Sequence, residues 1–332
     1  MKAVRQPDLG DVFAARKRIG GLVRRTPLVK AEELSLVLGS DVYLKLECLQ
    51  ITGSFKARGA ANRLLSLTGE ERRRGVVAFS TGNHGRAVAA LSRELGIPAV
   101  ICLSTRVPRY RLEAMRVFGA EIAAYGQSQD EAYLKALEIQ KERGLTMVAP
   151  FDDPYVIAGQ GTIALEIMEE LPETAQVVVP LSGGGLFAGV ALAAKTISGS
   201  IKAAGVSMAV APAMIRSLEA GRPVEIEEKD SLADALLGGV GLDNAHTFEL
   251  TRRYIDQTVL VSESEIAAGM FHAFDKSRLA VEGSGAVGIS AILAGRIEKS
   301  SGPTVVVVSG QNASPGFLSG LFAEHYKQER TL

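Results

Sequence analysis

The stretch TGSFKARG, Thr52 to Gly59, decides how the rest of this 332-residue chain reads. Gly53 is followed by Ser54, a favoured helix N-cap residue. Lys56 then falls in the first turn of a helix expected to run to about Leu67. A helix dipole favours lysine near the C-terminus, and Lys56 sits at the opposite end. An amine there gains by losing its charge, and a lysine held near neutrality is the usual Schiff-base nucleophile. Read alone, the octapeptide also fits a solvated surface lysine.

Two later stretches have the same build of strand, small-residue loop and helix. STGNHG, Ser80 to Gly85, follows the apolar run Val76 to Phe79. SGGGLFAG, Ser182 to Gly189, follows Val177 to Pro180. Together the three segments resemble those of the fold-type II pyridoxal-phosphate enzymes, in the branch of threonine/serine dehydratases and serine racemase. The resemblance covers nearly the whole chain, in the same order and at similar spacing. It implies a two-domain α/β fold like the tryptophan synthase β chain, with open, twisted, mostly parallel sheets and flanking helices. The expected division is a large cofactor-binding domain of residues 1–70 and 151–332, and a small domain of residues 71–150 for the substrate carboxylate.

Composition excludes some classes. Lys+Arg and Asp+Glu are both 37, so there is no basic field for nucleic acid or an anionic membrane. Gln176 to Ala194 is uncharged and long enough to suggest a membrane helix, but Pro180, Ser182 and three glycines interrupt it. A buried strand, a glycine loop and a buried helix account for it better. The two cysteines, Cys48 and Cys102, lie in apolar runs and read as buried free thiols of a reducing compartment. Charges interrupt the N-terminal region, which lacks a signal-peptide core, so a cytoplasmic protein is expected.

Along the chain, Asp8 to Leu22 reads as an amphipathic helix. Pro27 imposes an extended segment, and a similar R-T-P-L lies near the entrance to the fold in the resembling enzymes. Asp41 to Cys48 alternates as a strand. Val76–Phe79, Ala99–Leu103, Glu121–Tyr125 and Thr146–Ala149 read as strands, with helices near 84–95, 108–118 and 128–143: a small parallel unit. Val177–Val179, Ala203–Met208, Thr258–Val261 and Pro303–Val308 form a second set. The four valines from Val305 to Val308 suit a central strand buried on both faces. The chain ends soon after its last helix, near Tyr326, so the C-terminal regulatory domain of biosynthetic threonine dehydratases is not expected.

Gly183, Gly184 and Gly185 let backbone N–H groups approach an anion at a helix start. A dinucleotide fingerprint would need G-x-G-x-x-G and an acid about twenty residues on, and the next strand here ends at Val206-Ser207-Met208 with no acid. A monophosphate fits better; a plain tight turn is the other reading. The resemblance makes the ligand pyridoxal 5'-phosphate, held by Lys56, Phe55, Ser182, the three glycines and Leu186. Ser182 stands where a fourth glycine is usual. Ser80, Thr81 and Gly82 open a helix with hydroxyl and N–H groups suited to a carboxylate. The resemblance assigns Ser80, Thr81, Gly82 and His84 to the amino-acid substrate, adds Ser80 and Thr81 to Lys56 as catalytic candidates, and puts Asn83 on the cofactor's 3-hydroxyl. By itself, His84 also fits a capping or packing role. Ser309 stands where the resemblance puts a hydroxyl against the pyridine nitrogen, giving a weaker electron sink than an aspartate would. A plain helix N-cap before Pro315 is its other reading.

The activity implied is β-elimination of a hydroxy amino acid, threonine or serine by default, giving a 2-oxo acid and ammonia. Lys56 would hold the cofactor and remove the α-proton. The sequence is also similar to the dehydratase of hydroxyectoine breakdown; hydroxyaspartate dehydratase and amino-acid racemase are further alternatives, and a non-catalytic ligand-binding α/β protein is the rival of another class. Metal-stimulated relatives carry acids after the strand equivalent to Ala203–Val206. Here Ser207 to Ala213 has none, so no metal site is expected. Glu282, in V-E-G-S-G-A, is a supporting candidate. The expected partners are the amino acid itself and further copies of the chain, as a homodimer or higher homo-oligomer.

Overall fold

The computed structural model describes residues 5–329. Ten strands form two sheets. The strands are β1 (Leu28–Lys30), β2 (Val42–Lys45), β3 (Val76–Phe79), β4 (Ala99–Leu103), β5 (Glu121–Ala124), β6 (Thr146–Met147), β7 (Gln176–Pro180), β8 (Lys202–Met208), β9 (Gln257–Val261) and β10 (Thr304–Val307). One sheet has the order β1-β2-β10-β7-β8-β9, the other β5-β4-β3-β6. Every pairing is parallel except β1 with β2. In the larger sheet β10 lies between β2 and β7, and Val305 is in register with both Tyr43 and Val177. Its valines are fully buried, as a two-faced central strand requires. From β7 the chain winds outward to β8 and β9, then returns to the other side as β10. The crevice beyond the carboxyl ends of β7 and β10 is therefore a topological switch point, where open α/β sheets bind ligands.

The expected elements are found with shifted ends. The first helix is Leu9–Ile19, capped by Asp8 in a reciprocal capping box with Asp11. The Asp41–Cys48 run is a strand only over β2, and Cys48 belongs to a 3-10 turn, Glu47–Leu49. Thr146–Ala149 shrinks to the two residues of β6. Ser54 is not a helix cap. The lysine helix is Lys56–Leu65, Phe55 occupies the cap position, and no side chain caps it. The segment before it pairs with the loop after β10 instead: Phe55 N–H donates to the Ser309 carbonyl (3.0 Å) and Gln311 N–H to the Gly53 carbonyl (2.9 Å). The uncharged run Gln176–Ala194 is β7 followed by most of the helix Gly185–Ile197. Among the described residues no helix is long and apolar enough to cross a membrane.

Three helices bring the site together by crossing on glycine. The helix Pro154–Glu170 starts at Asp153, whose carboxylate accepts the Tyr155 and Val156 N–H groups, with proline at the first position. It lies between the lysine helix and the helix Gly185–Ile197. A Cβ at Gly159 would stand 2.6 Å from the Arg58 carbonyl oxygen, and one at Gly189 2.7 Å from the Gly161 nitrogen. Only glycine allows backbones this close.

A buried ion network fixes the register of that crossing. Arg58 is 1% exposed and binds two carboxylates bidentately. Its Nε and Nη2 donate to Glu47 (both 2.8 Å), its Nη1 and Nη2 to Glu166 (2.6 and 2.8 Å). Lys45 Nζ donates to Glu166 (2.7 Å) and to the Thr26 carbonyl (2.6 Å). Two cations thus meet two carboxylates. Burial opposes ionisation of Glu166, but Arg58 and Lys45 outweigh it and hold the carboxyl below its ordinary pKa. Removing one member leaves an uncompensated buried charge. Arg58→Met is expected to lower unfolding free energy by about 3–5 kcal/mol in urea titrations. By contrast Arg25→Met, which breaks the exposed pairs with Glu169 and Glu170, should cost less than about 1 kcal/mol.

Candidate active site

A cavity of about 920 Å³ lies between the two sheets. Its lining includes Lys56, Phe55, Ser80, Thr81, Gly82, Asn83, His84, Ser182, Gly183, Gly184, Gly185, Leu186 and Ser309, every candidate residue from the sequence. The loops after β3, β7 and β10 supply most of them, because their strands end at this face.

Lys56 Nζ donates to the Pro150 carbonyl (2.6 Å) and stands 5.2 Å from the Phe55 ring centroid. Among the described residues no carboxylate pairs with it, and burial lowers its pKa to about 8. The amine is therefore close to its neutral, nucleophilic form near physiological pH.

The loop after β7 forms an anion cradle. Gly184 has φ +88° and caps the helix Gly185–Ile197 without any side-chain cap, so the first N–H groups remain available. A Cβ at Gly183 would stand 2.6 Å from Phe151 Cγ, and one at Gly184 2.7 Å from Met214 Cε. The packing thus demands three glycines, and what they leave open is backbone N–H. A phosphate fits this donor set. Ser182 does not lend its hydroxyl proton to the cradle, since it donates it to the Leu236 carbonyl (2.9 Å). Leu186, the second residue of this helix, is buried and lines the cavity.

A second helix start, Gly82 followed by Asn83–Glu94, also lacks a side-chain cap. Ser80 Oγ accepts the Gly82 N–H (3.2 Å), which keeps its own proton free for an acceptor. His84 Nε2 faces the Val148 carbonyl at 2.8 Å. A carbonyl only accepts, so Nε2 carries the proton and Nδ1 is a buried lone pair without a partner. Burial, with Lys56 nearby, pushes the His84 pKa down to about 3. The ring stays neutral and has no donor left for an anion, so only the His84 backbone N–H could serve a carboxylate.

Asn83 is locked by a network that sequence reading did not reveal. Its Oδ1 accepts from Asn312 Nδ2 (2.7 Å), and its Nδ2 donates to Glu282 Oε1 (2.6 Å). Asn312 spends its other amide proton on the Thr52 carbonyl (2.9 Å) and donates its backbone N–H to Glu282 Oε2 (3.0 Å). Asn83 therefore presents one remaining N–H, a donor suited to an anionic oxygen. Gly53 (φ +78°) makes room, since a Cβ there would lie 2.5 Å from Asn312 Oδ1. Ser309 is buried and its Oγ donates weakly to the Ser284 carbonyl (3.3 Å). It lies six residues before the helix Pro315–Glu329 and does not cap it. Among the described residues, no group of three or more His, Cys, Asp or Glu side chains could hold a metal ion.

Other residues entered the site unannounced. Asp152 accepts the backbone N–H groups of Ala245, His246 and Thr247 (2.7, 2.9 and 2.9 Å), tying the cavity floor to the helix Thr247–Tyr254. Arg111 pairs with Asp234 across the cavity mouth. Burial, followed by the charge of Asp234, raises the Glu282 pKa to about 7. Its folded pKa thus exceeds the unfolded value, so this stabilisation is complete below about pH 4.5 and lost as pH rises through about 7. In protein stripped of cofactor, stability should fall by about 3 kcal/mol between pH 5 and pH 9 relative to a Glu282→Gln variant. Urea titrations across that range check it; parallel pH profiles would contradict it.

The family model described as pyridoxal-phosphate dependent enzyme matches residues 19–310. An L-threonine ammonia-lyase of Thermotoga maritima is 43% identical over 304 residues, 92% of this chain and 75% of the relative. A catabolic L-threonine dehydratase of Staphylococcus aureus is 38% identical over 321 residues, 96% of this chain and 92% of the relative. The solved structure of maize serine racemase superposes with a TM-score of 0.90 at 32% identity, covering 98% of this chain and all of the other. The chain belongs to the family of pyridoxal-phosphate dependent enzymes.

Proposed function

We propose that this protein is an ammonia-lyase that eliminates the β-hydroxyl of a hydroxy amino acid such as threonine or serine. The observation that carries the reading is the 43% identity, over 92% of the chain, to an enzyme named L-threonine ammonia-lyase, and the chemistry of Lys56 agrees with it. The domain division proposed is residues 1–70 with 151–332, and residues 71–150. All four strands of the smaller sheet falling between Val76 and Met147 supports it. A cytoplasmic homodimer or higher homo-oligomer is proposed as well; two buried free thiols suit a reducing compartment.

When bound, pyridoxal phosphate supplies the electron sink that acidifies the Cα–H of an amino acid joined to it. In this reading the Gly183–Gly185 cradle would hold its phosphate, the free Asn83 N–H would serve its ring oxygen, and Ser309 would supply a hydroxyl for its ring nitrogen. A serine hydroxyl does not keep that nitrogen protonated, which suits elimination better than a long-lived carbanion. Ser80, Thr81 and the uncapped N–H groups beside them hold the substrate carboxylate. Lys56, with its pKa near 8, takes the proton from Cα. The Cα proton and the β-hydroxyl leave as water. Hydrolysis of the released enamine consumes a water, so the net products are a 2-oxo acid and ammonia.

Lys56→Ala should lose at least about 1000-fold in ammonia release from threonine and serine while keeping its melting temperature within a few degrees. Appreciable turnover by the folded variant would overturn the assignment. Chelator treatment should leave both activity and melting temperature unchanged, because Ser207 to Ala213 offers no carboxylate to offset dehydration of a divalent ion. A loss restored by magnesium would mean that other oxygens supply a site.

A further inference from the structure

We propose that Arg86 binds a second carboxylate on the substrate, so that the preferred substrate is a hydroxy amino acid with a carboxylate beyond its Cβ. This rests on the lyase reading above and narrows its substrate class. Arg86 follows Asn83 by three residues on the helix Asn83–Glu94, which puts the two on one helix face. Helical side chains lean toward the N-terminus, and Arg86 lines the cavity at that end.

What separates Arg86 from its neighbours is that its side chain has no partner among the described residues. Its Nε is buried and bonded to nothing. The other two cavity arginines are engaged: Arg106 Nε donates to Gln127 (2.9 Å), and Arg111 pairs with Asp234. Buried Arg58 has two carboxylates, and Arg63 has Asp153 (3.1 Å). A guanidinium cannot relieve its isolation by losing a proton. Its buried Nε is left for an acceptor that a ligand brings, and the planar fork of the half-buried guanidinium matches a carboxylate bidentately.

The α-carboxylate does not require Arg86. The uncapped helix start and the Ser80 and Thr81 hydroxyls already supply donors, and Arg86 stands a turn further along the same helix. The cofactor phosphate has its own cradle on the other sheet. The helix Gln129–Arg143 adds Gln129, Tyr133 and Gln140 to the cavity lining. These polar groups have no counterpart on a threonine methyl, whereas a distal carboxylate can use them.

The test starts with the holoenzyme and two ligands that cannot eliminate, aspartate and 2-aminobutyrate. They have the same chain length and differ by a carboxylate in place of a methyl. Calorimetry should give about 10–100-fold tighter binding of aspartate, the range for a charge-assisted hydrogen-bonded contact. Arg86→Gln should abolish that preference and lower the ratio of kcat/KM for 3-hydroxyaspartate over threonine by a similar factor. Arg86→Lys should retain part of it. Equal affinity for the two ligands in the unmodified enzyme would overturn the proposal, and this comparison stands even if a variant fails to fold. Equal loss of both ligands in Arg86→Gln would overturn it too, placing Arg86 on the shared α-carboxylate. An aspartate preference lost in Arg86→Gln, without ammonia release from either hydroxy amino acid, supports the role of Arg86 and contradicts the lyase reading instead.

Discussion

Two residues past Lys56, one buried guanidinium is shared between Glu47 and Glu166, and the start of the lysine helix is fixed by it. Arg58 joins the turn after β2, the lysine helix and the helix Pro154–Glu170 in one charge-balanced cluster. Such clusters are weak evidence for stability, since an apolar replacement of equal shape can do as well. Their geometry is nevertheless demanding. Both carboxylates are engaged at two oxygens, so a one-residue slip of the helix would strand charge in the core. The glycine crossings at Gly159 and Gly189 add a steric version of the same demand.

With the helices held this way, the site divides its electrostatics among separate stations. Two uncapped helix starts, at Gly82 and Gly184, offer N–H donors on different sheets. Between them Lys56 lies without a counter-ion among the described residues, and desolvation lowers the pKa of its amine. Asn83, Glu282 and Asn312 form a closed network that leaves one N–H of Asn83, a cavity-lining residue, without a partner in it. The groups that face the cavity are therefore held in place by the fold, and many of them are backbone atoms, an arrangement that limits reorganisation in a binding site.

The motifs that carry local chemistry were legible in the sequence. TGSFKARG, STGNHG and SGGGLFAG each place small residues at a turn into a helix, and all three border the cavity. The valine run at 305–308 announced the central strand because burial on both faces leaves a continuous apolar signature. Long-range partners were not legible. Arg58 reads as one more charged residue until Glu47 and Glu166, 11 and 108 positions away, fold around it. Ser54 satisfies the rule for a helix cap, yet backbone pairing with the loop after β10 took precedence. His84 looked free to bind an anion until Val148, 64 residues on, took its proton. The unpartnered state of Arg86 likewise exists only in three dimensions.

The account turns on Lys56 as the amine that carries the cofactor. The direct measurement is borohydride reduction of the purified yellow protein, followed by digestion and mass spectrometry. The account predicts that the cofactor mass is retained on the peptide containing Lys56 and on no other. Label on a different lysine, Lys45 included, or a protein that loses all cofactor on denaturation after reduction, would contradict it.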